Sequence, residues 1–335
     1  MRNLENVEKV FKLIDAVVNM EIADPSYKKL MNLASKEGYK KIYAKSKEFN
    51  FFQSVDYPLF VYEALGGLKD QAIPLAAACT LLHMSADMLD DIADGDLPSS
   101  WDGIDKNKII LVANDLLAFV AQKCIVLLLD VAPEYQLMSL SMLFSNGVHK
   151  MSVGQLHDMD LKLTDPPKVD FIINNVIRRK TGGQHEVFAV AGAILAGASN
   201  EKIALISKFS ENIGIAGQLI NDFQDIWQKE ISPDLMTAKA TVPILLAYND
   251  LKDKNEFLLL LEELRLDYTG VIQTVKELIQ ETNSLEKTSV LIEEHKKLSF
   301  ECLENAVGID KIEIFKPVYD LFSKFERELK VLSYS

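Results

Sequence analysis

The sequence has few of the residues that form turns, disulfide frameworks or zinc sites. Its 335 residues include only 15 glycines, 10 prolines and 3 cysteines. So few glycines and prolines leave little material for the many turns of an all-β fold. The cysteines, Cys79, Cys124 and Cys302, are widely separated and form no C-x-x-C pair, and the five histidines show no zinc-binding spacing. This usage favours buried thiols in a reducing compartment, and we expect a cytoplasmic protein.

Basic residues are outnumbered by acidic ones, with 36 Lys and Arg against 49 Asp and Glu. The formal net charge is −13, and no basic stripe with interleaved aromatic residues is present. This composition argues against electrostatic binding of nucleic acid. We also expect no membrane span, because no run is long and apolar enough to cross a bilayer.

Hydrophobic residues make up 48% of the chain, enough for a large core. They recur at helical spacing, without a repeat or a sustained strand alternation. The patterning predicts an all-α bundle around a central cavity, formed by one domain over residues 1–335. The helices most relevant to function are predicted at 58–65, 70–94, 106–131, 169–198 and 201–229.

The stretch that organises the chain is HMSADMLDDIADGD, residues 83–96. In a helix, Asp87, Asp90, Asp91 and Asp94 fall at i, i+3, i+4 and i+7 and share one face. The preceding residues are apolar on every side, so this acidic face begins where a buried helix emerges from the core. Carboxylates without His or Cys beside them suit a hard cation such as Mg²⁺. The alternative is a solvated acidic helix end.

A second acidic face follows in QLINDFQD. Gln218, Asn221, Asp222 and Asp225 again fall at i, i+3, i+4 and i+7, after another apolar helix. Two such faces, each continuous with the core, can converge on one cavity that holds several Mg²⁺ ions and a polyphosphate. The alternative is a polar helix end with one structural asparagine.

Six segments, in order, resemble motifs of the trans-isoprenyl diphosphate synthase superfamily. They are Asp90-Asp91-x-x-Asp94, Asn114-Asp115-Leu-Leu, Gly154-Gln155-x-x-Asp158, Lys180-Thr181-Gly182, Gln218-x-x-Asn221-Asp222-x-x-Asp225 and Lys239-x-Thr241-x-Pro243. The resemblance covers roughly residues 58–247. Each motif alone is weak, whereas six in order at fitting intervals are specific.

The resemblance implies an all-helical class I isoprenoid synthase that ionises an allylic prenyl diphosphate with the help of Mg²⁺. It implies a metal set with Asp90, Asp94 and Asp225 as first candidates and Asp91, Asn221 and Asp222 beside them. It also implies diphosphate contacts from Lys180, Lys239, Gln218 and Gln155. The assignment of the two lysines depends on their flanking residues, Thr-Gly after Lys180 and Thr-x-Pro after Lys239. Without them, a solvated charge on a helix would explain either lysine equally well.

Ser85 and Ala86 lie one turn before Asp90. In the superfamily, bulky residues there stop chain growth, so these small ones imply a deep pocket for the prenyl tail. Close helix packing explains them equally well. Asp87 is an extra carboxylate, either a metal ligand or a hydrogen-bonded group.

The sequence departs from the superfamily where a second substrate, isopentenyl diphosphate, is held. Chain-elongating members carry Lys-Arg-x-Arg before the proline that matches Pro58, and an arginine pair after the first acidic motif. This chain has Ser54, Val55, Asp56 and Tyr57 at the first place and GDLPSSWDG at the second. Both basic clamps are missing, and Asp56 would repel a diphosphate, so a standard chain elongase is disfavoured.

Three functions follow from this departure. The sequence of residues 85–96, together with Trp101 and the later segment GQLHDMD, resembles that of ComQ-like prenyltransferases. These enzymes modify a tryptophan of a peptide. This favours a prenyltransferase with a peptide or small-molecule acceptor. A terpene synthase is the alternative, although Lys229 stands where its second motif has Glu. A non-catalytic subunit would have no need to keep both acidic faces. The superfamily also implies a homodimer.

Overall fold

The protein's structure is a computed structural model that describes residues 2–332. Over this range every regular element is a helix, and the only β-type pairing is a single bridge between Lys162 and Asp165. The predicted all-α fold is confirmed. It arises because apolar residues recur at helical spacing along nearly the whole sequence.

The chain divides into two compact units. Of the described residues, unit 1 takes those up to 145, then 187–207, and those from 303 onward, and unit 2 takes 146–186 and 208–302. The α-helices in chain order are α1 Arg2–Glu21, α2 Pro25–Phe49, α3 Gln53–Ala64, α4 Ile73–Asp94, α5 Lys106–Asp115, α6 Ala121–Val126, α7 Glu134–Met159, α8 Val169–Phe171, α9 Gly183–Leu195, α10 Asn200–Trp227, α11 Pro233–Met236, α12 Val242–Asp250, α13 Lys254–Leu264, α14 Tyr268–Gln280, α15 Ser284–Val307 and α16 Lys316–Leu332. Four 3₁₀ segments, Lys69–Ala72, Ser99–Trp101, Leu127–Asp130 and Ile309–Phe315, and two π segments, Leu116–Val120 and Ile172–Gly182, complete the set.

Helix α4 is central to unit 1. Pro74 lies in its first turn, where a proline costs no backbone hydrogen bond. The helix packs against α1, α3, α5 and α6. Nearly every residue from Ile73 to Met88 is buried, and exposure rises from Leu89 onward. Gly95 ends the helix at φ 80°, a left-handed conformation that favours glycine. The acidic face therefore begins where burial ends, as the sequence predicts.

Three predicted helices differ from the observed ones. The helix predicted over 106–131 is interrupted by the π segment Leu116–Val120 and closes with the 3₁₀ segment Leu127–Asp130. The helix predicted over 169–198 contains the eleven-residue π segment Ile172–Gly182, whose wider turns carry Lys180 and Thr181. The helix predicted to begin at Pro58 begins instead at Gln53, because the Asp56 carboxylate accepts a hydrogen bond of 2.7 Å from the Phe52 backbone N–H. This bond satisfies one of the donors that a helix N-terminus leaves unpaired. Residues 54–57 are consequently helical, and all four are buried in unit 1.

The prediction that no stretch is long and apolar enough to span a membrane is wrong by length and composition. Lys69–Asp94 and Lys106–Asp130 both meet that criterion. In each, one apolar stretch of 18 residues is partly buried inside the protein, 72% of it in the first and 44% in the second. Core helices of soluble proteins meet it as well, so two such stretches are weak evidence of a membrane protein. The burial of the first reflects its place in the core of unit 1, which composition alone does not reveal.

We predict that Asp56→Ala destabilises the protein by about 2–3 kcal/mol, because it leaves the buried Phe52 N–H without this acceptor. Asp105→Ala is the matched control: Asp105 accepts an equally short bond, 2.7 Å from the Asn107 N–H, but is exposed. Water replaces that acceptor, so the control costs less. Chemical denaturation followed by circular dichroism measures both; equal losses would contradict a special role for the buried bond.

Candidate active site

The first acidic face lies at the end of α4 in unit 1. Asp90 and Asp91 are half-buried, whereas Asp94 is exposed. The pKa of Asp91 is raised to about 6, because burial disfavours its ionised form and the like charge of Asp87 adds to that effect. The carboxylates of this helix end therefore lie close enough together for their charges to disfavour the ionised form of Asp91.

Asp87 has a cationic partner in α2. Its Oδ2 lies 2.5 Å from Lys41 Nζ, and both side chains are partly exposed. The sequence left Asp87 as either a metal ligand or a hydrogen-bonded group. In the structure it is hydrogen-bonded, to Lys41. The neighbouring aspartates remain the better metal candidates.

The second acidic face lies in α10, within unit 2, and is organised by a chain of hydrogen bonds. Thr181 Oγ1 donates to Gln218 Oε1 at 2.8 Å, and Gln218 Nε2 donates to Asp222 Oδ1 at 2.7 Å. The helical spacing of Gln218 and Asp222, i and i+4, places these two side chains in contact. The Thr-Gly segment after Lys180 thus contacts the second motif directly.

Three acidic side chains meet at the end of α10. Asp222 and Asp225 are buried at 7% and 4% exposure, and the nearby Asp234 is part-buried. Burial, followed by the charge of Asp234, raises the pKa of Asp222 to about 8. Burial, followed by the charge of Asp225, raises the pKa of Asp234 to about 6. This excess of buried negative charge is what a bound cation would relieve.

Asp225 has partners on both oxygens. Oδ1 accepts a short hydrogen bond from the Ser232 hydroxyl, and Oδ2 lies 2.6 Å from Lys229 Nζ. The Lys229 side chain is 56% exposed, so it can swing into solvent at little cost. Lys229, noted in the sequence as a departure from the terpene synthase pattern, would therefore compete with a metal for Asp225.

The two predicted diphosphate-binding lysines share one carboxylate in unit 2. Lys180 Nζ lies 2.9 Å from Asp158 Oδ2, and Lys239 Nζ lies 3.0 Å from Asp158 Oδ1. Burial opposes ionisation of Asp158, but the two lysines outweigh it and hold its pKa below the ordinary value. Gly154 permits the approach, because a Cβ there would lie 2.5 Å from the Lys180 backbone nitrogen. The Gly-Gln-x-x-Asp segment thus brings α7 against the segment that carries Lys180.

The remaining predicted residues occupy more varied surroundings. Gln155 is half-buried, three residues before Asp158, and Asn221 is exposed on α10. Ser85 is buried at 2% exposure, and Ala86 is half-buried. The first acidic face belongs to unit 1 and the second to unit 2, so their convergence on one cavity stays a prediction.

The donor set fits Mg²⁺ together with a phosphate ligand. Among the described residues, no group of three or more His, Cys, Asp or Glu side chains is arranged to hold a metal ion. Mg²⁺, however, commonly takes only one or two carboxylates from a protein and completes its octahedron with water and substrate phosphates. The carboxylates of the two faces, half-buried or exposed in the first and buried in the second, are suitable donors for that mode.

Sequence reasoning missed two residues of this region. Asp158 was visible only as the last letter of a motif, with no sign that it would hold both lysines. Asp234 follows Pro233 outside the long helix, so no helical periodicity connects it with Asp222. The only sequence signal for Asp234 was its position five residues before Lys239.

The family model described as Polyprenyl synthetase matches residues 58–281. The chain belongs to the polyprenyl synthetase family. The match includes both acidic faces, both lysines and Asp158, and it begins immediately after residues 54–57. The predicted membership of a family of prenyltransferases is therefore confirmed.

Curated relatives of this polyprenyl synthetase family member are similar over part of their length. A dimethylallyltranstransferase of Fischerella ambigua is 29% identical over 56% of this chain and 58% of its own. A geranylgeranyl diphosphate synthase of Cyanophora paradoxa is 28% identical over 54% and 65%. The tryptophan prenyltransferase ComQ of Bacillus subtilis subsp. natto is 29% identical over 62% and 61%. The matches thus span less than two thirds of these relatives.

Solved structures share the fold. A geranylgeranyl pyrophosphate synthetase from Pyrococcus horikoshii has a TM-score of 0.74 at 20% identity and covers 93% of this chain and 96% of its own. A polyprenyl synthase from Caulobacter crescentus, complexed with calcium and isoprenyl diphosphate, has a TM-score of 0.73 at 19% identity and covers 94% and 96%. At such identities, the similarity establishes the helical fold.

We predict that Lys229→Met lowers the Mg²⁺ concentration needed for half-maximal stabilisation by diphosphate by about two- to threefold, because it frees Asp225 from a competing cation. Lys287→Met is the control: Lys287 pairs with Asp250 elsewhere in unit 2 and is similarly exposed. Thermal denaturation at a series of Mg²⁺ concentrations measures the shift. A higher Mg²⁺ requirement in Lys229→Met would mean that Lys229 helps to hold the anion instead.

Proposed function

We propose that the protein is a Mg²⁺-dependent prenyltransferase that ionises an allylic prenyl diphosphate and passes the prenyl group to an acceptor other than isopentenyl diphosphate. The observation that carries this proposal is the pairing of Lys180 and Lys239 on one part-buried carboxylate, that of Asp158. Two ammonium groups held in a part-buried site form a binding place for an anion. Free cysteines, two of them buried, are compatible with the proposed cytoplasmic location.

The proposed reaction begins when the bond between the allylic carbon and the diphosphate oxygen breaks. The electron pair leaves with the oxygen, and a resonance-stabilised carbocation remains. Bound Mg²⁺ supplies positive charge that favours departure of the diphosphate. Lys180 and Lys239 bind the same leaving group, and Gln218 is held by Thr181 in the orientation that meets Asp222. The acceptor then attacks the carbocation and loses a proton.

The choice of acceptor rests on residues 54–57. All four are almost fully buried in unit 1, with exposures of 0% to 1%. The Ser54 and Thr80 hydroxyls form a hydrogen bond of 3.3 Å, and the Asp56 carboxylate accepts the Phe52 N–H. Where a basic clamp for a second diphosphate would stand, the chain has a packed core with an acidic residue. We therefore propose a peptide or small-molecule acceptor, in line with the relative named as a tryptophan prenyltransferase.

A terpene synthase is the second candidate. The same missing clamps favour it, because a synthase needs no second diphosphate. Asn221 stands where the second superfamily motif has its first aspartate. The second metal motif of terpene synthases also contains an asparagine, so Asn221 matches that motif in part. Standard chain elongation and a non-catalytic subunit fit less well, the latter because the lysines and acidic faces are retained.

We predict that prenyl diphosphates of increasing length, incubated with the protein and Mg²⁺, release diphosphate efficiently only with an added peptide or aromatic acceptor. A hydrocarbon formed without any acceptor would identify a terpene synthase, and efficient consumption of isopentenyl diphosphate would contradict the proposed loss of the clamps. The measurements are mass spectrometry of the products and a diphosphate-release assay.

The variants Asp90→Asn and Asp225→Asn test the same proposal. Each should lower turnover by at least about 100-fold with an unchanged helical signal, because each removes a carboxylate charge from a metal-binding face. Asp250→Asn, which affects only the ion pair with Lys287, should keep wild-type turnover. Full activity in Asp90→Asn or Asp225→Asn would remove that residue from the metal set.

A homodimer is the proposed assembly, through an apolar face of unit 1. Four residues of this apolar face are each exposed by more than half: Val126, Leu129, Met138 and Met142. They line one groove of about 500 Å³, in which Glu134 is the charged residue. In a chain of net charge −13, a mainly apolar face is where two copies can approach with little repulsion. A twofold axis would place the same residues on both sides.

We predict that Leu129→Glu combined with Met138→Glu converts the protein from a dimer of twice 37.6 kDa to a monomer of 37.6 kDa, because it places carboxylates in the contact. Light scattering coupled to size exclusion measures the mass. Leu266→Glu, at a residue of unit 2 that is 90% exposed, should leave the dimer intact. A monomeric wild type that floats with lipid vesicles would instead assign the apolar face to a membrane surface.

A further inference from the structure

The hydroxyl of Ser232 is fully buried and contacts the Asp225 carboxylate in a direction that its surroundings fix. Ser232 immediately precedes the short helix α11, and its side-chain oxygen accepts the Leu235 backbone N–H at 3.2 Å. A serine hydroxyl has a single proton to donate. Because Leu235 supplies the proton of its own bond, the Ser232 proton is left for Asp225 Oδ1. Ser232 is therefore the donor and Asp225 the acceptor.

The two oxygens of Asp225 have partners of different kinds. Oδ1 accepts the Ser232 hydroxyl and, at the longer distance of 3.4 Å, the Asp234 backbone N–H. Both donors are uncharged groups at the start of α11. Oδ2 is paired instead with the ammonium group of Lys229, whose side chain is mostly exposed. An exposed cation is readily displaced, whereas a buried hydroxyl is not, so Oδ2 is the oxygen that can change its partner.

A tyrosine holds Ser232 from another part of unit 2. The hydroxyl oxygen of Tyr268, the first residue of α14, accepts the Ser232 backbone N–H at 2.9 Å, although the two residues are 36 positions apart. Ser232 is thus fixed through its backbone by Tyr268 and through its side chain by Leu235 and Asp225. A residue fixed at both ends can keep the Asp225 carboxylate in one orientation.

We propose that Ser232, supported by Tyr268, is a positioning residue for metal binding: it occupies Oδ1 of Asp225 and leaves Oδ2 as the oxygen available to Mg²⁺. The proposal rests on the proposed function, because it takes Asp225 as a metal ligand. It gives opposite roles to the two neighbours of this carboxylate. Ser232 favours metal binding by orienting Asp225, whereas Lys229 opposes it by occupying Oδ2.

A simple helix cap is the competing explanation for Ser232. A cap stabilises the fold but has no reason to change the affinity for Mg²⁺. The charges of Asp234 and Lys276 also act on Asp225, and a substitution of Ser232 by an uncharged residue leaves both charges in place. A change in Mg²⁺ binding would therefore report the lost hydroxyl rather than an altered net charge.

Ser299 provides a matched control within unit 2. Its hydroxyl is also fully buried, and it donates to the Phe209 backbone carbonyl at 2.8 Å. Phe209 precedes Asp225 by 16 residues on α10, which corresponds to about 24 Å along the helix axis. Loss of the Ser299 hydroxyl thus removes a buried hydrogen bond without affecting the acidic face.

The test measures the Mg²⁺ concentration needed for half-maximal stabilisation of the full chain by inorganic diphosphate, followed by thermal denaturation. Ser232→Ala should raise this concentration about tenfold, the order of effect expected when a metal ligand loses its orienting partner. Ser299→Ala should leave it unchanged. Ser232→Thr, which keeps a hydroxyl, should return it close to the wild-type value. An unchanged Mg²⁺ requirement in Ser232→Ala would overturn the proposal.

Two further variants keep the test decisive if Ser232→Ala does not fold. Ser232→Gly retains most of the capping preference, because glycine is tolerated before a helix far better than alanine. It should raise the Mg²⁺ requirement as Ser232→Ala does. Tyr268→Phe, which leaves Ser232 itself intact, should raise it by a smaller factor of about two. No change in Tyr268→Phe would overturn the role given to Tyr268.

A double-mutant cycle separates positioning from a general loss of structure. Asp225→Asn should raise the Mg²⁺ requirement, and adding Ser232→Ala to it should raise the requirement no further, because the oriented carboxylate is already gone. A structural role predicts that the two losses add. If Asp225→Asn has no effect, the metal set of the proposed function is wrong. If it has the expected effect and the Ser232 variants have none, only the positioning proposal fails.

Discussion

The organisation of the site in unit 2 depends on two ion pairs, which join the Asp158 carboxylate to Lys180 and to Lys239. Asp158, Lys180 and Lys239 come from three separate segments, and the lysine nitrogens lie 2.9 and 3.0 Å from the two oxygens of Asp158. Gly154 makes this approach sterically feasible, because any side chain there would meet the backbone of Lys180. One small residue and one charged residue on the same helix thus bring two cations together.

The end of α10 carries a cluster of acidic side chains. Asp222, Asp225 and Asp234 lie close enough that burial and mutual repulsion raise the pKa of Asp222 and Asp234. Such an arrangement is unfavourable without a compensating cation. Lys229 and the Ser232 hydroxyl compensate Asp225 in part. Lys239 links this cluster to Asp158: burial opposes its charge, but Asp158, Asp234 and Asp222 together raise its pKa.

The departure from the superfamily that the sequence predicts lies immediately before Pro58. The family match begins at residue 58. Just before it, residues 54–57 pack into the core of unit 1, and Asp56 is used to satisfy the start of helix α3. A position that faces the core cannot hold a charged ligand without a large desolvation cost. The local packing is therefore the physical reason for proposing a different acceptor.

The sequence by itself determined the helices and the composition of both acidic faces. Helical periodicity is local, so the spacing of Asp87, Asp90 and Asp94 is enough to place them on one side of α4, and Gly95 is enough to end it. Only the tertiary structure decided which charges meet: Asp158 with two lysines, and Asp234 with the second face. It also decided that Asp56 is a buried helix-start residue and that 54–57 belong to the core. The contacts of Asp158 join residues far apart in the chain, and no periodicity of the sequence encodes such pairs. Asp56 and Asp234 contact residues that are near them in the chain, but their burial depends on tertiary packing.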